Sequence, residues 1–177
     1  EGSVSIVTLD DQGLAQVTTA SFTAFNTQAD ALRASGVRIY GPGASVAQDL
    51  EPEYITVSED GQTAWIALQE NNALAKLDIA SATITDILPL GFKDYGLAGN
   101  GIDASDDDGV VEIRPRPGVI GIYHPDAIAS YSVDGKTYGI AIFDHPQNPK
   151  HPTFWHVRDY GLFAANAFGE HDFFDDP

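Results

Sequence analysis

Three groups of residues in this 177-residue chain have the types and spacing that chemistry requires. The first is the run Gly99-Asn100-Gly101-Ile102-Asp103-Ala104-Ser105-Asp106-Asp107-Asp108-Gly109. Its carboxylates Asp103, Asp106, Asp107 and Asp108, with the Ser105 hydroxyl, are hard oxygen donors of the kind Ca²⁺ prefers. Asp103, Ser105 and Asp107 occupy alternate places, as ligands of a calcium loop do. The sixth place is Asp108 instead of the glycine an EF-hand needs, and the twelfth is Arg114 instead of glutamate. The competing reading is a solvated acidic turn. The second group is Glu53 and Asp126, which open equivalent strands of an internal repeat. If those strands converge, the two carboxylates could share a cation. Otherwise they are two strand-start acids facing water. The third is His145, His151, His156 and His171 with Asp144, a set that could bind Zn²⁺ or Fe²⁺ or act as acid and base. Their spacings, broken by Pro146, Pro149 and Pro152, match no ligand pattern, so a turn-rich structural role competes. Trp155 and Arg158 beside His156 are candidates for sugar or anion binding, against a packing role for Trp155.

The elements that must position these residues read as strands. Val4–Leu9, Leu14–Thr19, Tyr54–Val57, Ala64–Leu68, Leu74–Ile79 and Thr83–Leu88 are short, β-branched and separated by polar turns. Those turns include Asp11-Gln12-Gly13, Glu59-Asp60-Gly61 and Glu70-Asn71-Asn72. One helix is predicted over Thr27–Ser35, with Thr27 as N-cap and Gly36 as the stop. Residues 89–118 read as a loop rich in glycine and proline. The repeat aligns Pro52-Glu53-Tyr54-Ile55 and Asp60-Gly61-Gln62-Thr63-Ala64-Trp65-Ile66 with Pro125-Asp126-Ala127-Ile128 and Asp134-Gly135-Lys136-Thr137-Tyr138-Gly139-Ile140. The offset is about 73 residues, with one extra residue in the second copy. Repeated four-stranded meanders are the signature of a β-propeller, whose inner strands would carry Glu53 and Asp126. Two unrelated hairpins with the same turn chemistry are the alternative.

The predicted fold class is therefore all-β, an incomplete propeller of antiparallel meanders with one short helix and an irregular Pro/His-rich tail. Residues 1–142 form the propeller-like part and 143–177 the tail. Acids outnumber bases 26 to 9, a net charge of −17, so a phosphate backbone would be repelled and nucleic acid is excluded as a partner. Cysteine is absent, which rules out disulfides and thiol chemistry. No apolar run is long enough to span a bilayer. Nor is a signal peptide visible, and the start at Glu1-Gly2-Ser3, in a chain with no methionine, reads as a mature or excised piece. An incomplete blade set would leave open strand edges, which predicts self-association or pairing with other propeller blades.

Two resemblances refine these expectations. Gly36-Val37-Arg38-Ile39-Tyr40-Gly41-Pro42-Gly43-Ala44, Gln48-Asp49-Leu50-Glu51-Pro52-Glu53-Tyr54-Ile55, Gln69-Glu70-Asn71-Asn72-Ala73-Leu74 and Leu88-Pro89-Leu90-Gly91-Phe92-Lys93-Asp94 fall in one order. Over residues 2–138 they resemble the choice-of-anchor I family, similar to YncE-like and esterase-like phytase propellers. The resemblance implies an exported bacterial protein, extracellular, periplasmic or on the cell surface. In calcium-dependent phytase propellers, channel carboxylates hold the metal, which adds to the interest of Glu53 and Asp126. From Gly139 onward, Phe143-Asp144-His145-Pro146, Trp155-His156-Val157-Arg158 and Tyr160-Gly161-Leu162-Phe163 resemble the β-sandwich family labelled methane oxygenase PmoA. The resulting expectation is a non-catalytic binding or surface-display portion of an exported propeller protein, calcium-supported. The alternatives are a metal-dependent phosphoesterase or esterase, and metal or carbohydrate binding by the histidine tail.

Overall fold

Alternation of small and branched apolar residues builds the centre of the molecule. The computed structural model describes residues 2–105, 107–134, 136–143, 160–165 and 171–174. In chain order the strands are β1 (Ser3–Leu9), β2 (Ala15–Ser21), β3 (Pro52–Val57), β4 (Thr63–Leu68), β5 (Ala73–Asp78), β6 (Thr83–Pro89), β7 (Lys93–Asp94), β8 (Ile120–Gly121), β9 (Pro125–Val133), β10 (Lys136–Phe143), β11 (Tyr160–Ala165) and β12 (His171–Phe174). The helices are α1 (Ala29–Ser35) and α2 (Val46–Asp49), and a 3₁₀ segment at Thr23–Gln28 precedes α1. Among the described residues the strands form two four-stranded antiparallel sheets, ordered β3-β4-β5-β6 and β9-β10-β11-β12, and two two-stranded ribbons, β1-β2 and β7-β8. Each four-stranded sheet is a meander, with neighbours in sequence paired in space.

The β3–β6 meander is covered on both faces. Ala64, Ile66, Leu68, Ala73, Ala75, Leu77, Ile84 and Ile87 share one buried cluster with Val4, Ala20, Phe22, Phe25, Leu32 and Val46 from the β1-β2 ribbon and the helices. Alternate residues of a strand face opposite sides, so Ile84 and Ile87, three apart, need an irregularity to share a side. It is a bulge: Leu77 pairs with Ile84 and Lys76 with Asp86, leaving Thr85 as the extra residue. Ala67, Leu90 and Ile128 cluster on the opposite face, with Trp65, Leu74 and Tyr123 packed around them. Each fully buried Ile or Leu here contributes roughly 1.5–3 kcal/mol.

The two sheets meet through their first strands. β3 and β9 contact one another without sharing a ladder. Thr56 pairs with Trp65 in β4, and Ser130 pairs with Gly139 in β10, each nine residues further on (65 − 56 and 139 − 130). Thr56 and Ser130 are thus equivalent places in the repeat, beyond the inserted residue. Their hydroxyl oxygens lie 2.9 Å apart, and the Ser130 hydroxyl also donates to the Val57 carbonyl at 3.0 Å.

Some expectations need correction. The predicted helix exists, but Thr27 is not its cap: the 3₁₀ turn takes up Thr27, and α1 starts after Gln28, which makes no side-chain cap bond. Gly36 does stop it, with φ at +104° and its N–H donating to the Arg33 carbonyl at 3.1 Å. A second helix, Val46–Asp49, was not expected; a capping box between Ser45 and Gln48 begins it. The loop of residues 89–118 holds β7 and a bridge between Ile102 and Arg114. The tail is not wholly irregular, because β11 and β12 join the β9-β10 sheet.

Candidate functional site

Among the described residues, buried polar side chains gather where the β4–β5 turn meets the segment before β3. Asn71 is fully buried there. Its side-chain nitrogen donates to the carbonyls of Arg38 at 2.8 Å and Asp49 at 3.1 Å, and its oxygen accepts from the Glu51 N–H at 3.1 Å. The buried Asp49 carboxylate accepts the backbone N–H groups of Tyr40 and Gly41. A β-carbon at Gly41 would stand 2.5 Å from that carboxylate, so only glycine lets the backbone come so close. Asn72, also fully buried and held at φ +54°, donates to the Gly91 carbonyl and accepts from the Tyr123 N–H, both at 2.8 Å. It ties the β4–β5 turn to the chain leading into β9.

Around this node gathers an acidic rim. Arg38 donates to the Glu70 carbonyl at 2.8 Å and lies 4.5 Å above the Tyr40 ring. One Glu70 carboxylate oxygen is buried without a hydrogen-bond partner. Partial burial, then the charges of Glu70, Asp126 and Glu51, hold the Glu53 carboxyl above its usual range. Burial, then Glu51 and Asp49, push the Tyr40 phenol up, while Arg38 pulls it back. Glu53 and Asp126, paired in the sequence by the repeat, are therefore electrostatic neighbours, joined by Glu51 and Glu70. Such a rim disfavours anions and raises the local concentration of cations.

The Glu53 environment carries a pH signature. The folded protein holds this proton more tightly than the unfolded chain. The stability so gained is complete below the ordinary value of 4.5 and is lost as pH rises through the raised folded value. Glu53→Gln should therefore flatten the fall in melting temperature between mild acid and neutrality, while changing stability at low pH by less than about 0.5 kcal/mol. Melting curves from pH 4 to 8 check this; an unchanged slope would contradict the account.

The other candidates do not gather in this way. Both oxygens of Asp103 are engaged by backbone, accepting from Ser105 N–H at 3.3 Å and Glu112 N–H at 3.1 Å. The Ser105 hydroxyl accepts from the Asp107 N–H, and Asp108 accepts from the Val110 N–H. Asp106 lies outside the described residues, as do Asp144, His145, His151, His156, Trp155 and Arg158; His171 is placed only as the first residue of β12. Among the described residues, no three His, Cys, Asp or Glu side chains stand together in a way that could hold a metal ion. The calcium loop and the histidine set lie partly or mostly outside the described residues, and the calcium, esterase and histidine-tail readings gain no support.

Arg38, Tyr40, Asp49, Glu51, Glu70, Asn71 and Asn72 were not singled out as site residues from the sequence. The signal was present in the ordered motifs Gly36–Ala44, Gln48–Ile55 and Gln69–Leu74, whose ends this node joins. Residues 1–141, which contain all three motifs, match the choice-of-anchor I domain. The chain belongs to the choice-of-anchor I domain family. Domains of this kind occur in secreted and cell-surface bacterial proteins. Residues 120–177 match a family of unknown function (DUF6807). That match begins well before Gly139 and gives the PmoA-labelled resemblance no support. The two matches overlap at residues 120–141, which contain β8, β9 and most of β10. No curated protein matches this choice-of-anchor I chain. A solved structure, the Kuenenia stuttgartiensis hydrazine synthase, is 19% identical over 74% of this chain and 39% of its own, with a TM-score of 0.26. The chain thus spans well under half of that protein, and the likeness is too slight to bear on fold or function. Among the described residues no helix is long and apolar enough to cross a membrane, which says nothing of a β-barrel.

Proposed function

We propose that this choice-of-anchor I chain is a non-catalytic binding or display portion of an exported bacterial β-propeller protein. The observation that carries the reading is the contact between repeat-equivalent residues. Thr56 and Ser130 occupy the same place in successive meanders, and their hydroxyls meet at 2.9 Å. Adjacent propeller blades bring their inner strands together around a common axis in this way. Burial of the β3–β6 meander on both faces supports it too, because a blade inside a ring has a neighbour on each side. Within that arrangement the Asn71–Asp49 node is scaffolding, and the acidic rim at Glu51, Glu53, Glu70 and Asp126 is the surface on offer. Its charge suits a cationic ligand group rather than an anionic polymer.

Antibodies raised against this chain test the reading on cells of the source bacterium. Labelling of intact cells, or recovery from the culture medium, is the expected result. A protein confined to the cytosolic fraction would contradict it.

A further inference from the structure

Asn100-Gly101 is the one place in the chain where asparagine precedes glycine. The fold imposes that glycine. A β-carbon at Gly101 would stand 2.9 Å from the Arg114 carbonyl carbon and 3.1 Å from its Cα and its nitrogen. These are backbone atoms, held in place by the Ile102–Arg114 bridge, in which the Ile102 N–H donates to the Arg114 carbonyl at 3.2 Å. Any side chain at Gly101 would push the two segments apart. The close approach therefore dictates which residue follows Asn100, and with it the reactivity of Asn100 itself.

The peptide nitrogen of a glycine is unshielded, because no β-carbon stands beside it. Among the described residues, the Gly101 N–H makes no hydrogen bond. The Asn100 side chain is restrained there only through its nitrogen, which donates to the Asp94 carbonyl in an exposed bond of 3.2 Å, at the long limit of such bonds. The buried asparagines differ on each point. Asn71 is held by three main-chain partners, and the nitrogen that follows it is occupied, since the Asn72 N–H donates to the Gln69 carbonyl at 3.1 Å. The Asn72 side chain is tied to Gly91 and Tyr123.

We propose that Asn100-Gly101 is a self-modification site, at which the folded protein converts Asn100 to aspartate and isoaspartate with water as the only co-reactant. The Gly101 nitrogen gives up its proton to solvent and attacks the Asn100 side-chain carbon Cγ. A carbon–nitrogen bond forms, Nδ2 takes a proton and leaves as ammonia, and a succinimide ring closes. Water then opens the ring at either carbonyl, giving aspartate or, with an extra carbon in the main chain, isoaspartate. Both products lose the donor that held the Asp94 carbonyl and set a carboxylate against it. Isoaspartate also lengthens the chain just before the Ile102–Arg114 bridge. The conversion thus loosens the base of the loop over residues 103–113.

Ageing the purified chain in warm, mildly alkaline buffer tests this, with peptide mass mapping and isoaspartate-specific methylation as readouts. Asn100 should convert at least about tenfold faster than Asn71 or Asn72, whose reaction requires the buried node to open first. Hydrogen exchange should be faster in the aged sample at the Ile102 N–H and at the Arg116 N–H, which donates to the Tyr95 carbonyl at 2.8 Å. Asn100→Gln keeps the donor but closes a ring far more slowly, so its exchange should not change on ageing. Asn100→Asp should reproduce the faster exchange without ageing. An Asn100 that converts in urea but stays intact in the folded chain would overturn the proposal, as would conversion no faster than that of Asn71. Conversion that leaves exchange at both N–H groups unchanged would overturn the loosening.

Discussion

Asn71→Ala is expected to cost about 3 kcal/mol of folding stability, a large share of what a domain of this size possesses. The side chain is fully buried and bonds three main-chain groups from two segments: the Arg38 carbonyl, and the Asp49 carbonyl with the Glu51 N–H. Alanine leaves these groups buried and unpaired, each at a cost of about 1–3 kcal/mol before relaxation. The damage would spread through Asp49, whose carboxylate holds the Tyr40 and Gly41 N–H groups and stands 3.3 Å from the Asn71 amide nitrogen. Asn71→Asp should be no better. It keeps an acceptor for Glu51 but replaces the donor with a charge facing the Asp49 carboxylate. Urea denaturation of both variants measures this. A loss below about 1 kcal/mol for Asn71→Ala would mean that water or rearrangement replaces the node.

This node was the least legible part of the molecule from sequence, and the reason is distance along the chain. Glu70-Asn71-Asn72 reads locally as a polar turn, and it is one. The Asn71 side chain's partners, however, stand 20 to 33 residues away, and Tyr123, which bonds Asn72, stands 51 away. Local pattern carries no information about such partners. The strands were legible because their burial is periodic: Ala64, Ile66 and Leu68 alternate against one sheet face, and the Asp60-Gly61 turn punctuates them. Gly61 has φ at +70°, as its place in that turn demands. Thr27 was misread because a cap and a 3₁₀ turn draw on the same polar residues; only the winding of Thr23–Gln28 distinguishes them. The four residues of α2 are too few for helical periodicity, although Ser45 followed by Gln48 three residues later was a readable capping box. The nearness of Glu53 and Asp126 was legible through the repeat alone. Glu51 is near Glu53 in the chain itself, whereas Glu70 joined them only once the β4–β5 turn was folded back against β3.

The second large effect is a gain. Residues 56 and 130 are 74 apart in sequence, and their hydroxyls touch. The chain has no cysteine of its own, so Thr56→Cys/Ser130→Cys introduces a single possible disulfide. Closing a loop of that length stabilises by about 4 kcal/mol in the chain-entropy account, less any strain that the bond introduces. The same bond reports on the central claim, that the two meanders are equivalent blades whose inner strands run side by side at matching positions. The decisive measurement is the extent of disulfide formation in the folded double variant under mild oxidation, with melting temperatures before and after reduction. The account predicts nearly complete intramolecular cross-linking and a higher melting temperature in the oxidised form. Free thiols in a folded, oxidised sample, or a cross-link that lowers the melting temperature, would contradict it.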